Sequence, residues 1–226
     1  MLEIVYRDEN IVAINKPHGL LVHRSPIAKD AERFALQLLR DQIGQHVHPV
    51  HRLDRKTGGL LLFALNVETS RLLQRLFAYN GMQKTYHAIV RGYTLNADVI
   101  DYPLRKEDGR VQEAVTEYTK LGEAEMPVKM GRHKTSRYSF LEIRPDTGRM
   151  HQIRKHMAHI RHPIIGDRPH GCNKQNRLFK ERWQMDTMLL HASRLCFQHP
   201  ISQHEIILHA GFQPEFSRMM NMMGFE

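Results

Sequence analysis

One carboxylate stands among three cations in His51-Arg52-Leu53-Asp54-Arg55-Lys56-Thr57-Gly58-Gly59. A nearby arginine favours the ionised form of an aspartate. A fixed, partly desolvated carboxylate serves as a nucleophile or a base. The alternative is a loop ion pair of little energetic weight. A second segment, Thr147-Gly148-Arg149-Met150-His151-Gln152-Ile153-Arg154, reads as helical, with Met150, Ile153 and Met157 as its apolar stripe. Arg154 lies beside that stripe. An inward arginine requires an acidic partner or a phosphate, because an unpaired buried charge is very costly; Asp54 is one such partner. The alternative is an arginine at the edge whose head reaches water. In Lys84-Thr85-Tyr86, strand geometry puts Lys84 and Tyr86 on one face. A tyrosine so placed stacks on a nucleobase with a cation near phosphate, or it packs in the core.

The charge balance bears on that choice. Lys and Arg number 33 against 24 Asp and Glu, a net charge of +9. A surface this basic suits a polyanion such as nucleic acid. The 16 histidines include two groups: His46, His48 and His51, then His151, His156, His159 and His162. Helical histidines that hold a metal sit four apart with an acidic or thiol group near them. Residues 147–163 contain no Asp, Glu or Cys. The histidines are therefore expected to face RNA or water, and no metal is expected. There is no G-x-x-x-x-G-K-[ST] loop, no G-x-G-x-x-G after a strand, no His-Glu-x-x-His and no Cys-x-x-Cys. A bound nucleotide cofactor has no support.

The positioning elements follow from length and pattern. The chain has 226 residues, 41% apolar and 25% charged, which is ordinary for a globular chain with a real core. The longest apolar run, Leu60–Leu65, is far short of the ~20 residues that span a bilayer. The charged N-terminus does not read as a signal peptide. Two cysteines make no disulfide framework, so a reducing cytoplasm is expected. Residues 2–7 and 11–15 read as a hairpin around Asp8-Glu9-Asn10. Asp30 is placed to cap a helix over 31–43, with Phe34, Leu38, Leu39 and Ile43 inward. Gly58-Gly59 break the chain before a buried strand over Leu60–Leu65. Asn66 caps a second helix, with Leu72, Leu73, Leu76 and Phe77 inward. Strands are expected over 85–90, 114–118, 139–143, 188–197 and 205–209, and helices over 149–160 and 215–223. Residues 103–136 read as otherwise irregular. Strands outnumber helices without regular alternation, which favours α+β over a doubly wound fold.

Together these segments resemble RluA-type pseudouridine synthases over nearly the whole chain. The resemblance is carried by Asn15-Lys16-Pro17-His18-Gly19 with Val22-His23, and by His51-Arg52-Leu53-Asp54 with Thr57, Gly59 and Leu60–Leu62. It continues in Lys84–Gly92, Thr147–Arg154, His162–Asp167, Leu189-Leu190-His191-Ala192 and His199-Pro200. The chain departs from the family pattern at Lys56 and Gly58, where Pro and Ser are usual, and at Met150, where Thr, Ser or Lys is commoner. The resemblance implies one catalytic domain over 1–226, with no N-terminal RNA-binding module. It implies an α+β fold with a central mixed, mostly antiparallel sheet flanked by helices. It also implies isomerisation of a uridine in RNA, with tRNA the expected substrate, no cofactor, no obligate protein partner and a monomer. Asp54 would be the nucleophile, Arg154 its ion-pair partner, and Tyr86 the residue stacked on the base and moving its C5 proton. Arg52 would take the place of the flipped base, and His51, Lys84, Arg149 and Leu190 would bind substrate. Whether Asp54 attacks C1′ or C6 or abstracts a sugar proton is left open by these residues.

Overall fold

The computed structural model describes residues 1–24 and 32–225. In chain order the elements are β1 (Glu3–Arg7), β2 (Ile11–Lys16), α1 (Ala35–Ile43), β3 (His48–Pro49), β4 (Gly58–Ala64), α2 (Val67–Ala78), β5 (Met82–Arg91), β6 (Ala97–Asp101), β7 (Leu104–Arg105), β8 (Val111–Gln112), β9 (Val115–Met126), β10 (Ser136–Pro145), α3 (Gln152–His159), α4 (Asn173–Trp183), β11 (Leu190–Gln198), β12 (Glu205–His209) and α5 (Pro214–Met223). The class is α+β: ten strands belong to a large mixed, mostly antiparallel sheet, and β7 pairs with β8 separately. The chain forms two compact units, one of residues 1–84 with 192–213, the other of residues 85–191 with those from 214 onward. No helix among the described residues is long and apolar enough to cross a membrane.

In the first unit the β1–β2 hairpin turns where expected. The Asp8 carboxylate accepts from the backbone N–H of Asn10 and of Ile11, at 2.7 and 2.8 Å. Both β2 and β4 are buried along their whole length and pair antiparallel. That burial explains why β4 reads as a continuous apolar run rather than an alternating one. Gly58 and Gly59 do not break the chain but begin β4. Gly59 has φ +106°, and a Cβ there would lie 2.1 Å from the Ala192 carbonyl oxygen, so only glycine fits. Leu73 of α2 packs with Ile11, Leu60, Leu62, Leu195 and Leu208, and Leu76 and Phe77 lie against that cluster. The α2 cap is as expected, with the Asn66 side chain accepting from Thr69 N–H at 2.8 Å.

The first helix starts later than the sequence suggested. Phe34 is extended and bridges to Leu21, so α1 begins at Ala35. The N–H groups of Ala35 and Leu36 donate to the carbonyls of Leu21 and Val22, a backbone substitute for a side-chain cap. Asp30 and Ala31 lie outside the described residues. Ala35 and Leu39 are the buried helical positions, while Leu38 and Ile43 are half-buried.

In the second unit the strand order is β5-β10-β9-β6, antiparallel throughout. Residues 103–136 are less irregular than expected, because β9 runs on to Met126. Its inward positions include Thr116, Tyr118, Gly122 and Ala124, a face too weakly apolar to announce a strand. The helix expected over 149–160 starts at Gln152. His151 has φ +56°, outside the right-handed helix, and Met150 is exposed rather than part of an apolar stripe. The Gln152 side chain organises the preceding turn. Its oxygen accepts from Thr147 Oγ1 and Arg149 N–H, and its amide donates to Val115 O and Thr116 Oγ1. The core here joins Ala88, Val90, Leu141, Ile143, Ile153, Met157 and Leu190.

Candidate active site

In the first unit, Asp54 lies half-buried on the loop between β3 and β4. Leu53 points inward and Arg52 is exposed, so the loop alternates like a strand as it leaves β3. Thr57 N–H donates to Asp54 O at 3.0 Å, closing a turn over Arg55 and Lys56. The turn is tied to the segment after β2: Gly19 N–H donates to Arg55 O at 2.9 Å, and Arg55 Nε donates to Gly19 O at 3.1 Å.

Beneath this turn lies Lys16, with no exposed surface. Its Nζ donates to the carbonyls of Pro17, Leu20 and Arg55, at 3.0, 2.8 and 3.3 Å. Three donors thus meet three acceptors, which matches an ammonium group. Burial brings its pKa down to about 7, and the Asp54 charge pulls it the other way. The sequence reading placed Lys16 in a matching segment without a role at the site. The signal was there: it is the one charged residue of Ile11–Lys16, an otherwise buried strand.

His51, also half-buried in this unit, is held by two contacts. Its Nε2 accepts from Leu62 N–H at 3.0 Å, and its ring stacks on Phe77 with centroids 4.4 Å apart. Burial pushes its pKa down to about 3, and the Lys84 charge adds to that push. His51 is therefore a neutral anchor for the loop at pH 7.

In the second unit, Tyr86 is half-buried on β5, opposite Ile143, and lies against the cluster that contains Leu190. Leu190 is 4% exposed, a core residue rather than one open to substrate. Arg149 donates from Nε to Glu113 O at 3.0 Å. Arg154 is buried, not at an edge reaching water. Its Nε and Nη2 donate to the two oxygens of Asp167, each at 2.8 Å. Asp167 is 1% exposed. Asn176 clamps its backbone, donating to Asp167 O at 2.6 Å and accepting from Gly166 N–H at 2.9 Å. A Cβ at Gly171 would lie 1.9 Å from Asp167 O, so glycine lets the loop close on itself. Asp167 was quoted in a matching segment and not as a site residue; its pairing with Arg154 is visible only in the fold.

The histidines divide by burial. His156 is fully buried, with its ring nitrogens 2.9 Å from Thr116 Oγ1 and from Tyr102 O. It faces neither RNA nor water, because α3 turns it inward. His151 Nδ1 and His170 Nε2 are 2.9 Å apart and share a hydrogen bond. Burial lowers the His170 pKa; Asp167 opposes this, and Arg154, His151 and Lys155 add to it. Among the described residues no three His, Cys, Asp or Glu side chains could hold a metal ion together.

The comparisons with known proteins agree with the motifs. The family model described as RNA pseudouridylate synthase matches residues 10–159, which include residues of both units. The chain is similar to tRNA pseudouridine synthase C of Vibrio cholerae, 47% identical over 237 residues, covering 100% of this chain and 97% of that protein. It is similar to the Haemophilus influenzae protein of the same name, 45% identical over 237 residues, covering 100% and 99%. Among solved structures, human RNA Pseudouridylate Synthase Domain Containing 4 shares the fold, with a TM-score of 0.74 at 23% identity, covering 98% of this chain and 93% of that one. The chain belongs to the RNA pseudouridylate synthase family. It is accordingly an enzyme, an isomerase of uridine in RNA.

Two outcomes test this geometry. For His51, the native pKa of about 3 lies below the ordinary 6.5. Between those values the unfolded chain takes up a proton that the native chain refuses, so stability falls as pH falls through the window. The pH 7 to pH 5 loss, followed by urea unfolding, should be about 2 kcal/mol smaller in His51→Gln than in wild type; parallel curves would contradict the assignment. Asp167→Ala strands a buried guanidinium and should cost about 3–5 kcal/mol, and Asp167→Asn should cost less; an unchanged unfolding midpoint in both would show that the pair carries no weight.

Proposed function

We propose that the chain converts a uridine of tRNA to pseudouridine, at position 65, with Asp54 as the nucleophile. The observation that carries this reading is the Asp54 loop itself. A carboxylate is held half-buried on a turn whose backbone is fastened by a fully buried lysine. A mere surface ion pair needs no such fastening. Full-length similarity to proteins named tRNA pseudouridine synthase C supports tRNA as the substrate.

The reaction breaks the N1–C1′ glycosidic bond, forms a C5–C1′ bond, releases the C5 proton and takes up a proton at N1. Atoms and electrons balance without an oxidant or a further reactant. The carboxylate of Asp54 takes the nucleophile's part, and the reading calls on side chains alone. Arg154, its guanidinium fixed by Asp167, is a positioned cation of the second unit. Tyr86 stacks on the extruded base and moves the C5 proton. Flipping the base costs a few kcal/mol, which stacking and the exposed Arg52 offset in part. Lys84 and Arg149 contribute positive charge toward the RNA. In this reading both units make up one catalytic domain that works as a monomer in the cytoplasm. The two free cysteines, Cys172 and Cys196, suit a reducing compartment.

The test is release of tritium from tRNA labelled at uridine C5, with a chelator present throughout. Wild type should release it; Asp54→Asn should lose at least about a thousandfold in rate while binding tRNA within about twofold of wild type. Turnover by Asp54→Asn near the wild-type rate would remove Asp54 from the chemistry. Release from ribosomal RNA and not from tRNA would replace the substrate.

A further inference from the structure

The tip of the β9–β10 hairpin carries Lys129, Arg132, His133 and Lys134, all exposed. No Asp or Glu occurs between Glu125 and Glu142. The carboxylates nearest the tip along the hairpin are engaged elsewhere. Glu125 accepts from Thr135 Oγ1 and Tyr93 OH and pairs with Arg137, and Glu123 pairs with Lys120. Lys129, Arg132 and Lys134 have no ion-pair partner among the described residues. The tip is nevertheless built rather than loose. Met130 and His133 exchange two backbone hydrogen bonds, at 3.0 and 3.2 Å, around Gly131 at φ +60°. Val128 is buried, and Ser136 Oγ donates to its carbonyl at 3.0 Å.

A second group of cations lies at the same end of this unit. Helix α4 packs where β10 leaves the tip: Tyr138 OH donates to Gln175 Oε1 at 2.7 Å, and the Tyr138 and Phe179 rings meet edge to face at 5.5 Å. With Gln175 and Phe179 buried, α4 leaves Lys174, Arg177, Lys180 and Arg182 exposed, against one exposed acid, Glu181. Like charges gathered at one end of the unit repel one another. The arrangement costs free energy in the free protein, and a polyanion relieves it. Tyr86 stands opposite Ile143, about seven strand positions from Ser136, or roughly 24 Å at ~3.4 Å per residue. The tip cations lie beyond Ser136, so their span from Tyr86 is on the order of one turn of a nucleic-acid duplex, ~34 Å.

We infer that the β9–β10 tip, together with the exposed face of α4, docks the phosphate backbone of the substrate RNA more than about 24 Å along the sheet from Tyr86. The inference rests on the reading of the substrate as a structured RNA. The contact is sequence-independent and orients the duplex, leaving base recognition to the site around Tyr86.

The test compares Arg132→Gln with Lys134→Gln in one chain against Arg71→Gln with Arg75→Gln on α2, a control of equal charge loss. Binding of fluorescently labelled tRNA is followed by anisotropy from about 50 to 200 mM salt. The tip variant should bind about five- to tenfold more weakly near 100 mM salt, and its log–log salt slope should shrink by about 1.5, as for two lost phosphate contacts. The control should keep the wild-type slope, and Arg132→Lys with Lys134→Arg should restore binding. Equal losses in tip and control, or none in either, would overturn the docking surface. Tip-dependent binding without tritium release by wild type would keep the docking surface and reject the isomerase assignment on tRNA. Tritium release by wild type with tip-independent binding would do the reverse.

Discussion

A buried lysine side chain is the constraint on which the Asp54 loop depends. Lys16 is the one charged residue of a fully buried strand, and its side chain has no exposed surface. Placing a charge there is expensive unless every proton finds an acceptor. The acceptors are three carbonyls, of Pro17, Leu20 and Arg55. Two belong to the segment after β2 and one to the turn that carries Asp54. The chain can satisfy Lys16 only by bringing that turn against residues 17–20. Folding the first unit therefore sets the backbone of the Asp54 loop. The stacked, neutral His51 fixes the same loop from its other end.

The second unit uses the same logic with the opposite sign. Asp167 is almost fully buried, and Arg154 meets both of its oxygens in a planar, two-bond arrangement. Such pairs gain little net stability over apolar packing but are costly to break singly. Their value is geometric, since a guanidinium held along one edge has a fixed plane. Asn176 and Gly171 hold the loop that presents Asp167. The Gln152 side chain holds the turn before α3. Arg154 thus owes its orientation to residues from two segments that follow β10.

How much of this was legible depended on what kind of signal each feature leaves. Asp54, Tyr86 and Arg154 stood out because their types and neighbours form ordered motifs. Strand β4 was plain as an apolar run, and β2 as the second arm of a hairpin after Asp8-Glu9-Asn10. The pairing of Arg154 with Asp167 was not readable, because nothing local distinguishes one carboxylate from another. Strand β9 was cut short because its inward face is Thr116, Tyr118, Gly122 and Ala124. Helix α4 was missed because it buries only Gln175 and Phe179 and so shows no apolar stripe. The start of α1 was misplaced because its first N–H groups are satisfied by the carbonyls of Leu21 and Val22, a tertiary contact with no sequence signature. Met150 looked like a core residue until the left-handed conformation of His151 turned it out of the helix.

Lys16 fastens the backbone of the turn that carries Asp54, the proposed nucleophile. The most direct measurement is the single-turnover rate of tritium release from tRNA by Lys16→Gln at saturating enzyme. Glutamine keeps two donors for the carbonyls but lacks the charge and the third donor. The account predicts tRNA affinity close to wild type and a chemical step about 10- to 100-fold slower, as expected for a displacement near 1 Å. A wild-type rate in a folded Lys16→Gln protein would contradict it.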